Sequence, residues 1–307
     1  MDTPGAASRR QAVMRTEASI LGRLALGVVL ALLALGPGVP PRVSLLAPHG
    51  HAELVLAVDG APPSTLALLR TVARILQADL GLPLPARVTA HVYDGPARFE
   101  RGLVTYAAVP AARAAELAQF AIGATIPGAV LLRAPALPSL EWPRLIAHEL
   151  THLAQIELAG GDTGPAQWVA EGMAEWVAYR IVERLGRFDL EDQRQLARVA
   201  AVEYVRRANG LDLDLLATPS GFLIQHRRIG TLVTYRLSLH LAGDLIAQHG
   251  FPPMVDYFRA FRVSRDGAAN FSASFGVSTD AFARATLDRL AAEPQPALPV
   301  GVRRPRA

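Results

Sequence analysis

The segment His148-Glu149-Leu150-Thr151-His152 places two imidazoles four residues apart with a carboxylate between them. On a helix, positions i and i+4 share one face a single turn apart, so both rings can converge on one metal ion. Glu149 is rotated about 100° from His148 and stands beside the ion, not on it, which suits a general base acting on a metal-activated water. A catalytic zinc site needs a third protein ligand and leaves the fourth position open. Trp168-Val169-Ala170-Glu171-Gly172-Met173-Ala174-Glu175-Trp176 offers Glu171, with 18 residues between it and His152. Glu175, one turn further on the same face, can accept the free N–H of a ligand histidine.

These residues need two packed helices to hold them. Pro143 suits the first turn of a helix over 142–158 and Gly160-Gly161 its end, and a second helix is expected over 166–185. Upstream, His51–Val58 and Ala86–Tyr93 read as strands. They flank a helical pattern carried by Leu66, Leu69, Val72, Ile75 and Leu76, which makes a β-α-β opening. A helix near 111–120 leads into a glycine-containing loop, Ile122–Gly128, and then a strand over Ala129–Leu132. Further helices are expected over 190–208, 229–248, 252–263 and 279–292. The expected class is α+β, with a small mixed α/β lobe (43–160) carrying the H-E-x-x-H helix, then a mainly helical lobe (161–295) carrying Glu171.

The H-E-x-x-H pair, the 18-residue gap and the W-x-x-E-G-x-A segment resemble the gluzincin metallopeptidases, above all the peptidase MA-like proteins and related aminopeptidases. The resemblance is densest over 128–179. It implies a zincin-like fold and one catalytic Zn2+ held by His148, His152 and Glu171. It also implies peptide-bond hydrolysis with Glu149 as general base. No G-x-M-E-N-like exopeptidase segment precedes His148, where the chain has Gly128-Ala129-Val130-Leu131-Leu132, so aminopeptidase action is not implied.

In similar enzymes a Tyr or His on a later helix donates to the oxyanion. Tyr235 and His240 both fall in that range, and five residues set them about 140° apart on one helix, so one at most faces the metal. Tyr235 is the expected donor, although Leu232, Leu239 and Ile246 share its face; Tyr179 is a third candidate. The strand over 129–132 is expected to offer a backbone edge to an extended peptide. A rival of another class is a non-catalytic, membrane-tethered binding module that keeps zinc for stability; the intact Glu149 speaks against it.

Composition excludes several other functions. The 307-residue chain has 51% apolar and 19% charged residues, which suits a folded body. The tails hold Arg9, Arg10, Arg15, Arg23, Arg42, Arg303, Arg304 and Arg306 against Asp2 and Glu17. Setting these aside from 31 basic and 27 acidic residues leaves 23 and 25. Basicity therefore belongs to the ends, including a Pro/Arg tail over 296–307, and no nucleic-acid partner is expected. With no cysteine, thiolate metal sites and thiol nucleophiles are excluded. Residues 1–42 have the layout of an export signal or single-span anchor: arginines, the apolar run Leu24–Leu35, then Gly36-Pro37-Gly38-Val39-Pro40-Pro41. An exported, secreted or membrane-anchored protein is expected. His49 and His51 form an H-x-H, read as exposed, and His91, His226 and His249 have no partner pattern.

Overall fold

The computed structural model describes residues 29–31, 53–58, 63–134, 141–161 and 164–293. Most of the N-terminal segment, His49, His51 and the tail over 296–307 lie outside the described residues.

The chain opens with strands β1 (Val29–Ala31) and β2 (Glu53–Val58), helix α1 (Pro63–Ala78) and strand β3 (Arg87–Tyr93). β2 and β3 pair in parallel, Glu53 opposite Arg87, and α1 makes the crossover that parallel strands require. Thus the β-α-β opening is present. Helices α2 (Pro96–Ala107) and α3 (Ala111–Ala118) follow, then strands β4 (Gly123–Ile126) and β5 (Ala129–Arg133). The sheet order is β1-β4-β5-β3-β2, with β4 antiparallel to β5 and the other neighbouring pairs parallel.

Two expectations are corrected here. Gly123–Ile126, read as loop because of its glycine and the following Pro127-Gly128, is a strand. Ile126 pairs with Ala129 across a two-residue turn in which Gly128 takes the left-handed conformation at φ 76°, a position that favours glycine. In consequence the 129–132 strand offers no free edge, being paired to β3 on one side and β4 on the other. The outer edge of β4 in turn carries Val29–Ala31, three residues of the apolar N-terminal run.

Beyond the sheet the chain is helical. α4 (Glu141–Leu158) and α5 (Gln167–Arg184) fall within a residue of the expected helices, and α6 (Leu190–Ala208) coincides with its expectation. Asp189 caps α6 through the amides of Glu191 and Asp192. Next come α7 (Leu213–Ala217), α8 (Pro219–Ile229) and α9 (Thr231–His249), followed by α10 (Phe251–Ala260), α11 (Gly267–Phe275) and α12 (Thr279–Ala292). The helix expected from 229 starts at Thr231, because Gly230 at φ 106° separates it from α8. Among the described residues no helix is long and apolar enough to cross a membrane. The architecture is α+β, mostly helical around a small mixed sheet.

The position of α4 accounts for its chemistry. It packs on β4 and β5 on one side, on α5 on another and on α1 on a third, so 15 of its 18 residues are buried. Polar side chains on such a helix must find partners inside the protein. α9 lies against α5 and α6. A Cβ on Gly172 would overlap the carbonyl oxygen of Ser238 and the Ala242 methyl, so the glycine after Glu171 is what lets α9 approach α5 backbone to backbone.

Candidate metal centre

His148 and His152 project from α4 and Glu171 from α5, all with 1% exposure or less. His148 Nε2 lies 3.0 Å from His152 Nε2 and 3.2 Å from Glu171 Oε2, and His152 Nε2 lies 3.5 Å from the same oxygen. A tetrahedral ion with bonds of about 2.0–2.1 Å keeps its ligand atoms about 3.3–3.4 Å apart. The triangle therefore has the size a metal ion requires, and these three residues form a cluster able to hold one.

Each ligand is oriented by a partner behind it. His152 Nδ1 is 2.8 Å from Gln155 Oε1, and Gln155 Nε2 donates to the Ala170 carbonyl on α5 at 2.9 Å. With the carboxamide oxygen as acceptor, His152 carries its proton on Nδ1 and presents the Nε2 lone pair to the ion. Gln167 Nε2 donates to Glu171 Oε1 at 2.6 Å, which leaves Oε2 for the metal. Glu175 Oε1 lies 3.1 Å from His148 Nδ1, within ion-pair distance. The Arg144 guanidinium holds Glu175 in turn, with Nη1 2.8 and 2.9 Å from the two carboxylate oxygens, while Arg144 Nε donates to Glu141 at 2.5 Å.

The buried acids and imidazoles of the cluster shift one another's titration. Burial raises the Glu175 carboxyl, but Arg144 and His148 outweigh it and hold the group at about 2. For His148, burial favours the neutral ring, yet the adjacent carboxylates of Glu171 and Glu175 bring it up to about 9. Glu171 is lowered against its own burial by His152 and His148.

Glu149 stands apart from the triangle. It is fully buried, its Oε2 accepts from Thr125 Oγ1 at 2.7 Å, and its Oε1 has no hydrogen-bond partner among the described residues. Burial raises its pKa above the ordinary carboxylate value, against the charges of His148 and His152 and the Thr125 bond.

The other sequence candidates separate cleanly. Tyr235, on α9, is fully buried with its ring centroid 6.2 Å from that of His148. His240, on the same helix, faces the opposite way into a polar pocket with Arg194, Arg198, Asp244, Arg289 and Glu293. Its nearest carboxylate is Asp244 at 3.8 Å. Tyr179 lies beneath the Arg144 guanidinium, 5.6 Å from ring centre to Cζ, behind the ligands. Trp168 packs on Phe271 and Phe282, and Trp176 on Phe251, as packing residues do.

Several site residues escape the sequence reading. Gln155 and Gln167 sit three residues after one ligand and four before another, a spacing that could have flagged them. Arg144, one turn before His148, had the same signal. Thr125 and Gly123 had none, because strand β4 is reached only through the fold. His226, read as unpatterned, packs against Tyr235 at 5.9 Å between ring centroids, and its buried Nδ1 has no partner.

No protein-family model and no curated protein matches the chain.

Proposed function

We propose that the chain is a zinc-dependent peptidase of gluzincin type with a zincin-like fold, in which His148, His152 and Glu171 hold one Zn2+ and Glu149 is the general base. The observation that carries this reading is the free, buried Oε1 of Glu149 beside the ligand triangle. A site built only for stability has no use for it, since a carboxylate oxygen left unpaired in the interior is costly. Two neutral imidazoles and a carboxylate, with a position left for water, form the donor set of catalytic zinc. Zinc bound there supplies Lewis acidity toward a carbonyl and lowers the pKa of water.

The chain's own residues do the rest. Glu149 Oε1 takes a proton from the attacking water and passes it to the departing amine, helped by burial that keeps its proton affinity above that of a solvated carboxylate. The Tyr235 hydroxyl is the proposed donor to the oxyanion. Gln155, Gln167 and Glu175 keep the ligand atoms aimed at one point. An extended peptide would lie along β4, the strand nearest Glu149, in the place that Val29–Ala31 takes. The arginines and apolar run of residues 1–42 support export, as a secreted or anchored protein.

A second reading draws on one specific observation: the three ligands and Glu149 are all within 1% of full burial, as in a structural metal site of a non-catalytic binding module. Incubating the full chain with a peptide library, with and without chelator and with zinc restored, separates the two. The peptidase reading expects cleavage that chelator abolishes and zinc returns. Zinc that raises the melting temperature of a chain cleaving nothing would favour the binding module.

A further inference from the structure

The proposed general base is gripped from outside its own helix. Gly123 and Thr125 are two apart on β4, so they share one face of the sheet, and that face meets α4 at Glu149. Thr125 Oγ1 lies 2.7 Å from Glu149 Oε2 and 3.1 Å from the Glu149 carbonyl oxygen. A hydroxyl has one proton to give, and the shorter, charge-assisted bond to the carboxylate is the stronger. Across from it, the Cα of Gly123 faces the other oxygen: a Cβ there would overlap Glu149 Oε1. Gly123 is not among the residues with positive φ, so its backbone would accept a side chain and only the lack of space forbids one. Thr125 is 1% exposed, so its hydroxyl is shielded from bulk solvent.

We propose that Thr125 is the positioning residue of the general base, tying down Oε2 while the bare Cα of Gly123 leaves room for Oε1 as the one oxygen free to receive a proton. The proposal rests on the peptidase reading and adds to it a residue that does not touch the metal and whose role no local motif reveals. Without the hydroxyl, the carboxylate can rotate about its last torsion and divide its time between orientations, since terminal torsions to planar groups are broad. A base displaced by an ångström costs about 10²-fold in rate.

Thr125→Val tests this, because valine keeps the branched shape and the strand preference while removing the donor. In the zinc-loaded full chain, kcat should fall by about 10²-fold with KM and zinc affinity near wild type, and Thr125→Ser should restore most of the rate. Gly123→Ala, approaching the same carboxylate from its other oxygen, should also lower kcat and leave zinc bound. A readout independent of turnover is a double-mutant cycle on the melting temperature of the metal-free chain. Thr125→Val should lower it clearly with Glu149 present and far less in a Glu149→Leu background, where no carboxylate is left to hold. An active wild type whose Thr125→Val variant keeps its kcat overturns the positioning role and leaves the peptidase reading intact. Zinc loss in Thr125→Val, or equal melting shifts in both backgrounds, would reduce Thr125 to a packing residue. A zinc-loaded wild type that cleaves no peptide overturns the peptidase reading and this role with it, even where the coupling is found.

Discussion

Arg144 Nη1 lies 2.8 and 2.9 Å from the two oxygens of Glu175, and both residues are almost completely buried beneath His148. An ion pair in such a place is costly to break, because the surviving partner stays charged without water; removal of one member typically costs about 3–5 kcal/mol. Arg144→Met should therefore destabilise the protein by about that amount, measured by urea denaturation. Arg144→Met combined with Glu175→Met should recover much of the loss, since apolar replacement of both partners is often neutral. The double variant should still bind zinc about 10–100-fold more weakly, because nothing then holds His148 from behind. Wild-type zinc affinity in the double variant would show that the pair serves stability alone.

The Tyr235 hydroxyl is expected to act in the transition state, from a ring 6.2 Å from His148. Tyr235→Phe keeps the ring between His148, Phe222 and His226 and removes only the oxygen. It should lower kcat by about 10²-fold with little change in KM or zinc content. Turnover near that of the wild type would assign Tyr235 to the core, and His226→Gln would be the next variant to assay.

A pH dependence follows from His226. Burial pushes its pKa from 6.5 to about 4, with the charge of Glu171 opposing in part. Between those values the unfolded chain takes up a proton that the folded chain refuses, so stability is lost as pH falls from 6.5 toward 4. His226→Gln, which keeps a polar partner for the Thr231 hydroxyl 2.5 Å from His226 Nε2, should make the fall of unfolding free energy across that window shallower. Equal slopes for the two proteins in urea melts at several pH values would contradict the assignment.

The ligand set was legible because it is local. Four residues along one helix bring His148 and His152 to one face, and the 18-residue gap that turns at Gly160-Gly161 is long enough to return the chain so that Glu171 meets them. The helices themselves followed from apolar periodicity, with α4, α5 and α6 placed nearly to the residue. Strand β4 was missed because its glycine and the Pro127-Gly128 after it are turn signals. In the fold that glycine answers to Glu149, 26 positions away, and no local pattern carries such a constraint. For the same reason the sequence of Ala129–Leu132 does not reveal that it pairs on both sides: strand order is a property of the whole sheet. Helical geometry alone sets Tyr235 and His240 on different faces, but which face meets His148 depends on how Gly172 seats α9 against α5.

The central claim is that ligand and base are separate roles within one buried cluster, and the most direct measurement compares Glu149→Gln with Glu171→Ala for zinc content and peptide hydrolysis in the same preparation. Glu149→Gln should retain one zinc per chain while its hydrolysis falls by about 10²–10⁴-fold, and Glu171→Ala should lose the metal and the activity together. Comparable zinc loss in both variants, or wild-type hydrolysis by Glu149→Gln, would contradict the account.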